Sequence, residues 1–98
     1  MRKITHNSIY YFLNRINKKI DNTEVKNVDG ETHLYLFDNL IAVMDIYGEI
    51  FITDAGHVTA TTQERLNGFD GVRLQRRNGK WILNNRPWCG KFININSI

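Results

Sequence analysis

Ile9, Phe12, Leu13, Ile16 and Ile20 recur at i, i+3, i+4, i+7 and i+11, the spacing that lays apolar side chains along one stripe of a helix. The pattern predicts an amphipathic helix over residues 8–20. Asn7 or Ser8 would cap its start, Lys18 and Lys19 would suit the negative end of its dipole, and Asp21-Asn22 would end it. From residue 23 the period shortens. Residues 23–28 read as a strand closed by Asp29-Gly30, and His33, Tyr35 and Phe37 then alternate with Leu34 and Leu36. Asp38-Asn39 offers the positive φ angles of a tight turn, residues 40–46 return, and Tyr47-Gly48 turns again into Ile50-Phe51-Ile52-Thr53. The strand at 40–46 is apolar on both faces, which places it centrally in an antiparallel meander.

Beyond a loop at Asp54-Ala55-Gly56-His57, Thr61-Thr62-Gln63-Glu64 matches a capping box and opens a short helix near 61–69 that Gly68 or Gly71 can end. Residues 72–77 and 80–83 flank Asn78-Gly79, a strong hairpin signal. A loop through Asn84-Asn85-Arg86-Pro87 leads to a last strand at 91–95, whose edge is open to a copy of itself or to a partner. The architecture expected is α+β: an N-terminal amphipathic helix packed on an antiparallel sheet of about five to six strands, with a short second helix near 61–69. One domain, 1–98, is expected, since a chain of this length buries roughly two thirds of the surface it exposes when unfolded.

Composition adds little until it is divided along the chain. Hydrophobic residues at 42% and charged residues at 23% are ordinary globular usage, so folding needs no partner. A lone Cys89 cannot form an internal disulfide, which points to a reducing compartment, with the cytoplasm as the expected location. Asn14, Arg15 and Asn17 break the N-terminal apolar stretch before it reaches signal-peptide or membrane-span length, so no membrane association is expected. The net charge of +3 conceals a sharp division. Residues 1–20 carry Arg2, Lys3, Arg15, Lys18 and Lys19 and no acid; residues 21–70 hold all ten acids against Lys26 and Arg65; residues 71–98 carry Arg73, Arg76, Arg77, Lys80, Arg86 and Lys91 and again no acid. The basic ends either fold onto the acidic middle or form one exposed positive face beside a negative one.

Within residues 36–81 stand Asn39-Leu40-Ile41-Ala42, Asp54-Ala55-Gly56, Thr59-Ala60-Thr61-Thr62-Gln63-Glu64-Arg65-Leu66-Asn67 and Asn78-Gly79-Lys80-Trp81. This succession of a strand, a D-A-G turn, a T-A-T-T-x-x-R-L-N helix start and an aromatic hairpin resembles a family of small proteins encoded by bacteriophages and other mobile elements. The resemblance covers about half of the chain and leaves out the helix at 8–20. His57 stands where an aromatic follows the turn in the family pattern. A mobile-element origin is implied, and no activity comes with it.

Catalysis needs an activated group and an orienting partner, and few candidates exist. His57 lies near Asp54 and Thr59, but a turn histidine beside a capped helix is the plainer reading. His33 reads as a half-exposed strand residue. Cys89 has no signature pairing it with His57, and three scattered histidines and one cysteine show no metal spacing. Gly68 and Gly71 follow a helix, whereas a phosphate loop would precede one. No enzymatic activity and no cofactor are expected.

Binding is better represented. Arg73, Arg76, Arg77, Lys80, Trp81, Arg86, Trp88, Lys91 and Phe92 interleave cations with aromatics, as surfaces do that track phosphates and stack bases, and as protein interfaces do. Strand alternation puts Arg73, Gln75 and Arg77 outward if Leu74 is core, with Arg76 on the inner face or near its edge. Trp81 reads as core and Trp88 as an exposed anchor. Arg15, Lys18 and Lys19 are expected to join this surface from the first helix. The acids Asp38, Asp45, Glu49 and Asp54 read as turn residues of a scaffold, and the positive net charge argues against DNA mimicry. The function expected is that of a phage accessory protein that binds and inhibits a host protein or ribonucleoprotein machine, as an anti-CRISPR inhibitor does. The alternative is a small DNA- or RNA-binding protein; an enzyme or ligand-sequestering protein centred on Asp54 and His57 ranks third.

Overall fold

The computed structural model describes residues 2–98. Its first helix, α1, spans Lys3–Leu13 and buries Thr5, Ser8, Ile9 and Phe12 at i, i+3, i+4 and i+7. It therefore begins and ends earlier than the apolar stripe suggests. Arg15 stops it by adopting φ 55°: its N–H donates to the Phe12 carbonyl at 3.1 Å, and the Ile16 N–H reaches back to the Tyr11 carbonyl at 2.9 Å. Together these form the paired closure of a Schellman motif. Leu13 and Ile16 are left exposed. Lys18–Ile20, freed from the helix, forms strand β1.

β1 opens a six-stranded antiparallel sheet completed by β2 (Thr23–Val28), β3 (Glu31–Leu36), β4 (Asn39–Met44), β5 (Ile50–Ile52) and, from the far end of the chain, β9 (Ile93–Asn94). The strand order is β1-β2-β3-β4-β5-β9, so β4 has the flanked position that its two apolar faces predict. The turn into β4 uses Phe37 and Asp38, at φ 49° and 65°, one residue earlier than Asp38-Asn39. β4 carries a bulge: Leu34 faces Ala42 while Tyr35 faces Leu40, so Ile41 is the extra residue. Ile41 and Ala42 are consequently both buried although adjacent.

Helix α2, Ala60–Leu66, is capped by Thr59, whose hydroxyl accepts the Thr62 N–H at 3.2 Å. The cap lies two residues before the expected box, and Glu64 instead accepts the Arg2 backbone N–H at 3.1 Å. A second, three-stranded antiparallel sheet follows: β6 (Leu74–Arg77), β7 (Lys80–Leu83) and β8 (Arg86–Trp88). Asn78-Gly79 makes the expected hairpin. Asn84 and Asn85, at φ 49° and 69°, make another two-residue turn, so the expected loop at 84–87 becomes a strand with Pro87 on an edge, where its missing N–H is tolerated. The expected last strand shortens to β9 because residues Ile95–Ser97 coil into a 3₁₀ turn capped by Asn94.

One cluster of buried apolar side chains joins α1, both sheets and α2, from Ile9 and Phe12 through Leu34, Ile41 and Ile52 to Leu66, Phe69, Leu74, Trp81 and Leu83. Polar ties cross it. Arg65, fully buried, donates to the hydroxyls of Thr23 at 3.0 Å and Thr5 at 2.8 Å and to Asn22 Oδ1 at 3.2 Å, binding α2 to α1 and β2. Gly68 lets the helices meet, because a Cβ there would sit 2.7 Å from Thr5 Cγ2. The Asn67 amide donates to the Leu74 carbonyl at 2.9 Å and accepts its N–H at 2.7 Å, completing the edge of β6 as a neighbouring strand would.

Candidate functional site

Pairing within the small sheet sorts its cations and aromatics. Leu74 faces Leu83, which faces Arg86; Arg76 faces Trp81, which faces Trp88. Paired residues share a face, and Leu74, Trp81 and Leu83 are buried, so this face turns inward. The outer face carries Gln75 and Arg77 from β6, Lys80 and Ile82 from β7 and Pro87 from β8, with exposed Arg73 just before β6. Along the strands Arg77 and Lys80 therefore point out beside each other and both tryptophans point in, and Lys80 meets the tryptophans only along a cleft at the end of the hairpin.

Trp81 is core, as expected. Trp88 is half-buried, which corrects the exposed anchor expected there: its ring lies 6.4 Å from that of Trp81 and its indole N–H donates to the Lys91 carbonyl at 3.0 Å. Arg76, on the inner face, reaches Gln63 Oε1 at 3.4 Å. Arg86 is exposed beside a cleft that Ile93 and Ile98 also line, and Lys91 is exposed before β9.

The N-terminal cations lie elsewhere. Arg15 is held within the fold: its guanidinium donates to the Asp45 carbonyl at 2.6 Å, to Thr32 Oγ1 at 3.0 Å and to the Gly30 carbonyl at 3.3 Å. Lys18 stands over the Tyr11 ring at 5.6 Å. Lys18 and Lys19 belong to β1, at the edge of the large sheet opposite β9, five inter-strand spacings or about 24 Å away. Lys18 and Lys19 are therefore separated from Lys91 by the width of the sheet.

Nor do the basic ends neutralise the acidic middle. Among the described residues the Lys/Arg–carboxylate pair is Lys26 with Glu24 at 3.9 Å, and the His33 ring meets Glu31 at 3.0 Å, all four within the middle itself. The acids serve turns and strand ends. Asp45 Oδ1 accepts the Tyr47 and Glu49 N–H groups at 2.9 Å each, and Glu49 Oε2 accepts the side-chain amides of Asn94 and Asn96 at 3.0 and 3.2 Å. Arg65, the one cation of the middle drawn into the core, has its pKa lowered chiefly by burial.

Asp54 and His57 form no dyad. The buried Asp54 carboxylate accepts the Gly56 N–H at 2.7 Å and the Trp81 indole N–H at 2.9 Å, while the exposed His57 contributes its backbone N–H to the Asp54 carbonyl at 2.9 Å. Cys89 is exposed and lines a different cleft from His57. No group of three or more His, Cys, Asp or Glu side chains converges among the described residues. Nor is any described helix long and apolar enough to cross a membrane.

Two structural residues escape sequence reasoning. Arg65 had one faint signal, its place three residues after Thr62 on the inward face of α2. Gly90 had none: a Cβ there would lie 2.2 Å from Asp54 Oδ2.

The model of the family described as Kyanoviridae Gp96 protein matches residues 1–97, and so includes α1, which the motif resemblance left out. No curated protein and no solved structure matches the chain.

Proposed function

Because the chain belongs to the Kyanoviridae Gp96 protein family, a family of bacteriophage proteins, we propose that it is a non-enzymatic accessory protein of infection. In this reading it binds and inhibits a host protein or ribonucleoprotein machine, in the manner of a counter-defence or anti-CRISPR inhibitor. The contact is the outer face of the small sheet. One observation carries the reading: Arg73, Arg77 and Lys80 are exposed together with no acidic partner among the described residues. Such a field steers association with a surface of opposite charge. The Asp54 carboxylate, with both oxygens accepting structural hydrogen bonds, supports a binding role over a catalytic one.

The inward turn of both tryptophans favours a folded, acidic protein surface. A single-stranded nucleic acid would want exposed rings on which to stack, and this face offers guanidinium and ammonium groups without them. The same cations would suit phosphates, and duplex or backbone-only binding to DNA or RNA is the second reading. Capture from host lysate on immobilised protein, run beside an Arg77→Glu/Lys80→Glu double variant and at rising salt, tests the first reading. A specific protein should be held by the native chain and lost from the variant; no such protein would count against inhibition of a host machine. Electrophoretic shift of DNA and RNA tests the second, with affinity expected to fall steeply with salt if phosphates are neutralised.

A further inference from the structure

A groove of about 670 Å³ runs between the loop after β5 and the β7–β8 hairpin, walled by Val58, Lys80, Pro87, Trp88 and Cys89, with the buried Asp54 and Trp81 at its base. We propose that this groove docks an acidic peptide segment of a partner protein, with one large apolar side chain of that segment seated between Val58 and the tryptophans. The inference rests on the reading of the small sheet as the partner-binding surface and names the chemistry of the partner.

The two indole N–H groups and the carboxylate at the groove are already engaged. Trp81 Nε1 donates to Asp54 and Trp88 Nε1 to the Lys91 carbonyl, so the two indoles offer a ligand no N–H. Asp54 is 6% exposed and its carboxylate accepts from Gly56 and Trp81, so it belongs to the base of the groove and not to its rim. What the groove presents is apolar surface: the accessible part of the half-buried Trp88 ring, Pro87, and Val58, which is 39% exposed although apolar, over a floor closed by the buried Trp81. Burying an aliphatic or aromatic side chain there removes water from both partners, at roughly 25 cal/mol per Å² of apolar area.

Charge selects what flanks that side chain. Lys80 lines the groove and pairs across the hairpin with Arg77, and the backbone of the exposed Lys91, two residues after Cys89, is tied by its carbonyl to Trp88. None has an acidic partner among the described residues, and no acid occurs after Asp70. A segment with carboxylates on either side of its anchor complements this rim. A nucleic acid fits less well, because Trp81 is only 3% exposed and cannot serve as a stacking platform.

Cys89 is the chain's single cysteine, exposed and in the groove wall, so its rate of alkylation by iodoacetamide reports occupancy. The probes are twelve-residue peptides of aspartate and glutamate with one central leucine or one central alanine, and a thymidine oligonucleotide. The leucine peptide should slow alkylation roughly threefold at a concentration of twice its Kd, the alanine peptide should do so far less, and Val58→Glu should remove the protection. Equal protection by the two peptides, stronger protection by the oligonucleotide, or no protection at millimolar leucine peptide would overturn the proposal. A host protein retained by Val58→Glu as by the native chain, but lost from Arg77→Glu/Lys80→Glu, would overturn the groove alone and leave the basic face standing.

Discussion

The indole N–H of Trp81 donates to Asp54 Oδ2 at 2.9 Å, inside the protein, across 27 positions of sequence. Through this bond the end of β5 is tied to the middle strand of the small sheet. The inward tryptophan and the outward Lys80 beside it are thus set by one buried carboxylate. Asp54→Ala should leave the Trp81 N–H without a partner and cost about 1–3 kcal/mol of stability. In a thermodynamic cycle with Trp81→Phe, measured by urea unfolding, the pair should cost clearly less than the sum of the single changes.

Gly90 makes the same junction possible. Its carbonyl accepts the Asp54 N–H at 3.0 Å and the Thr53 hydroxyl at 2.5 Å, and its φ of 88° is left-handed. Gly90→Ala should destabilise more than Asp54→Ala, because the new methyl would overlap the carboxylate as well as strain the backbone. Adding Asp54→Ala should return part of that loss. Thermal melts of the two single variants and the double variant measure both effects.

How much of this was legible in the sequence differs by residue. Asn78-Gly79 and the alternation of β3 were plain, since turn chemistry and a period of two are local properties. The N-terminal helix was misplaced because its buried stripe is half polar: Thr5 and Ser8 face inward where an apolar pattern is sought, and Thr5 does so to meet Arg65, sixty positions away. Its end was hidden too, since Arg15 in a left-handed conformation leaves none of the signal that a glycine would. For the site, alternation correctly sent Arg73 and Arg77 outward and Trp81 inward. It does not show that Trp88 is half-buried, because β8 exists only through an Asn84-Asn85 turn that reads equally well as loop.

Arg65 offers a separate test of the core. Arg65→Met should cost roughly 2 kcal/mol, because Thr5, Thr23 and Asn22 lose their donor while buried. Adding Thr5→Val and Thr23→Val should recover much of that loss, since an apolar cluster of similar volume needs no desolvated charge. Arg65→Lys should not rescue, one ammonium being unable to span the three oxygens of a fork-shaped site. Denaturant midpoints across the series provide the comparison.

Arg15 combines backbone strain with three side-chain bonds, and two substitutions separate them. Arg15→Ala loses the bonds and keeps the left-handed strain; Arg15→Gly loses the bonds and relieves it. Glycine should therefore be the more stable of the two by about 1 kcal/mol, and a reversed order, read by thermal unfolding, would show that the helix end is not held in the left-handed conformation.

The central claim is that the outward cations of the small sheet are the contact made with a host partner. Its most direct measurement is quantitative capture from infected-host lysate on the native chain and on Arg77→Glu/Lys80→Glu, after circular dichroism has shown the variant folded. Both positions are exposed and free of structural side-chain bonds among the described residues, so the fold should survive. The account predicts that a specific host protein is retained by the native chain and falls at least tenfold on the variant. Equal retention by both would contradict it.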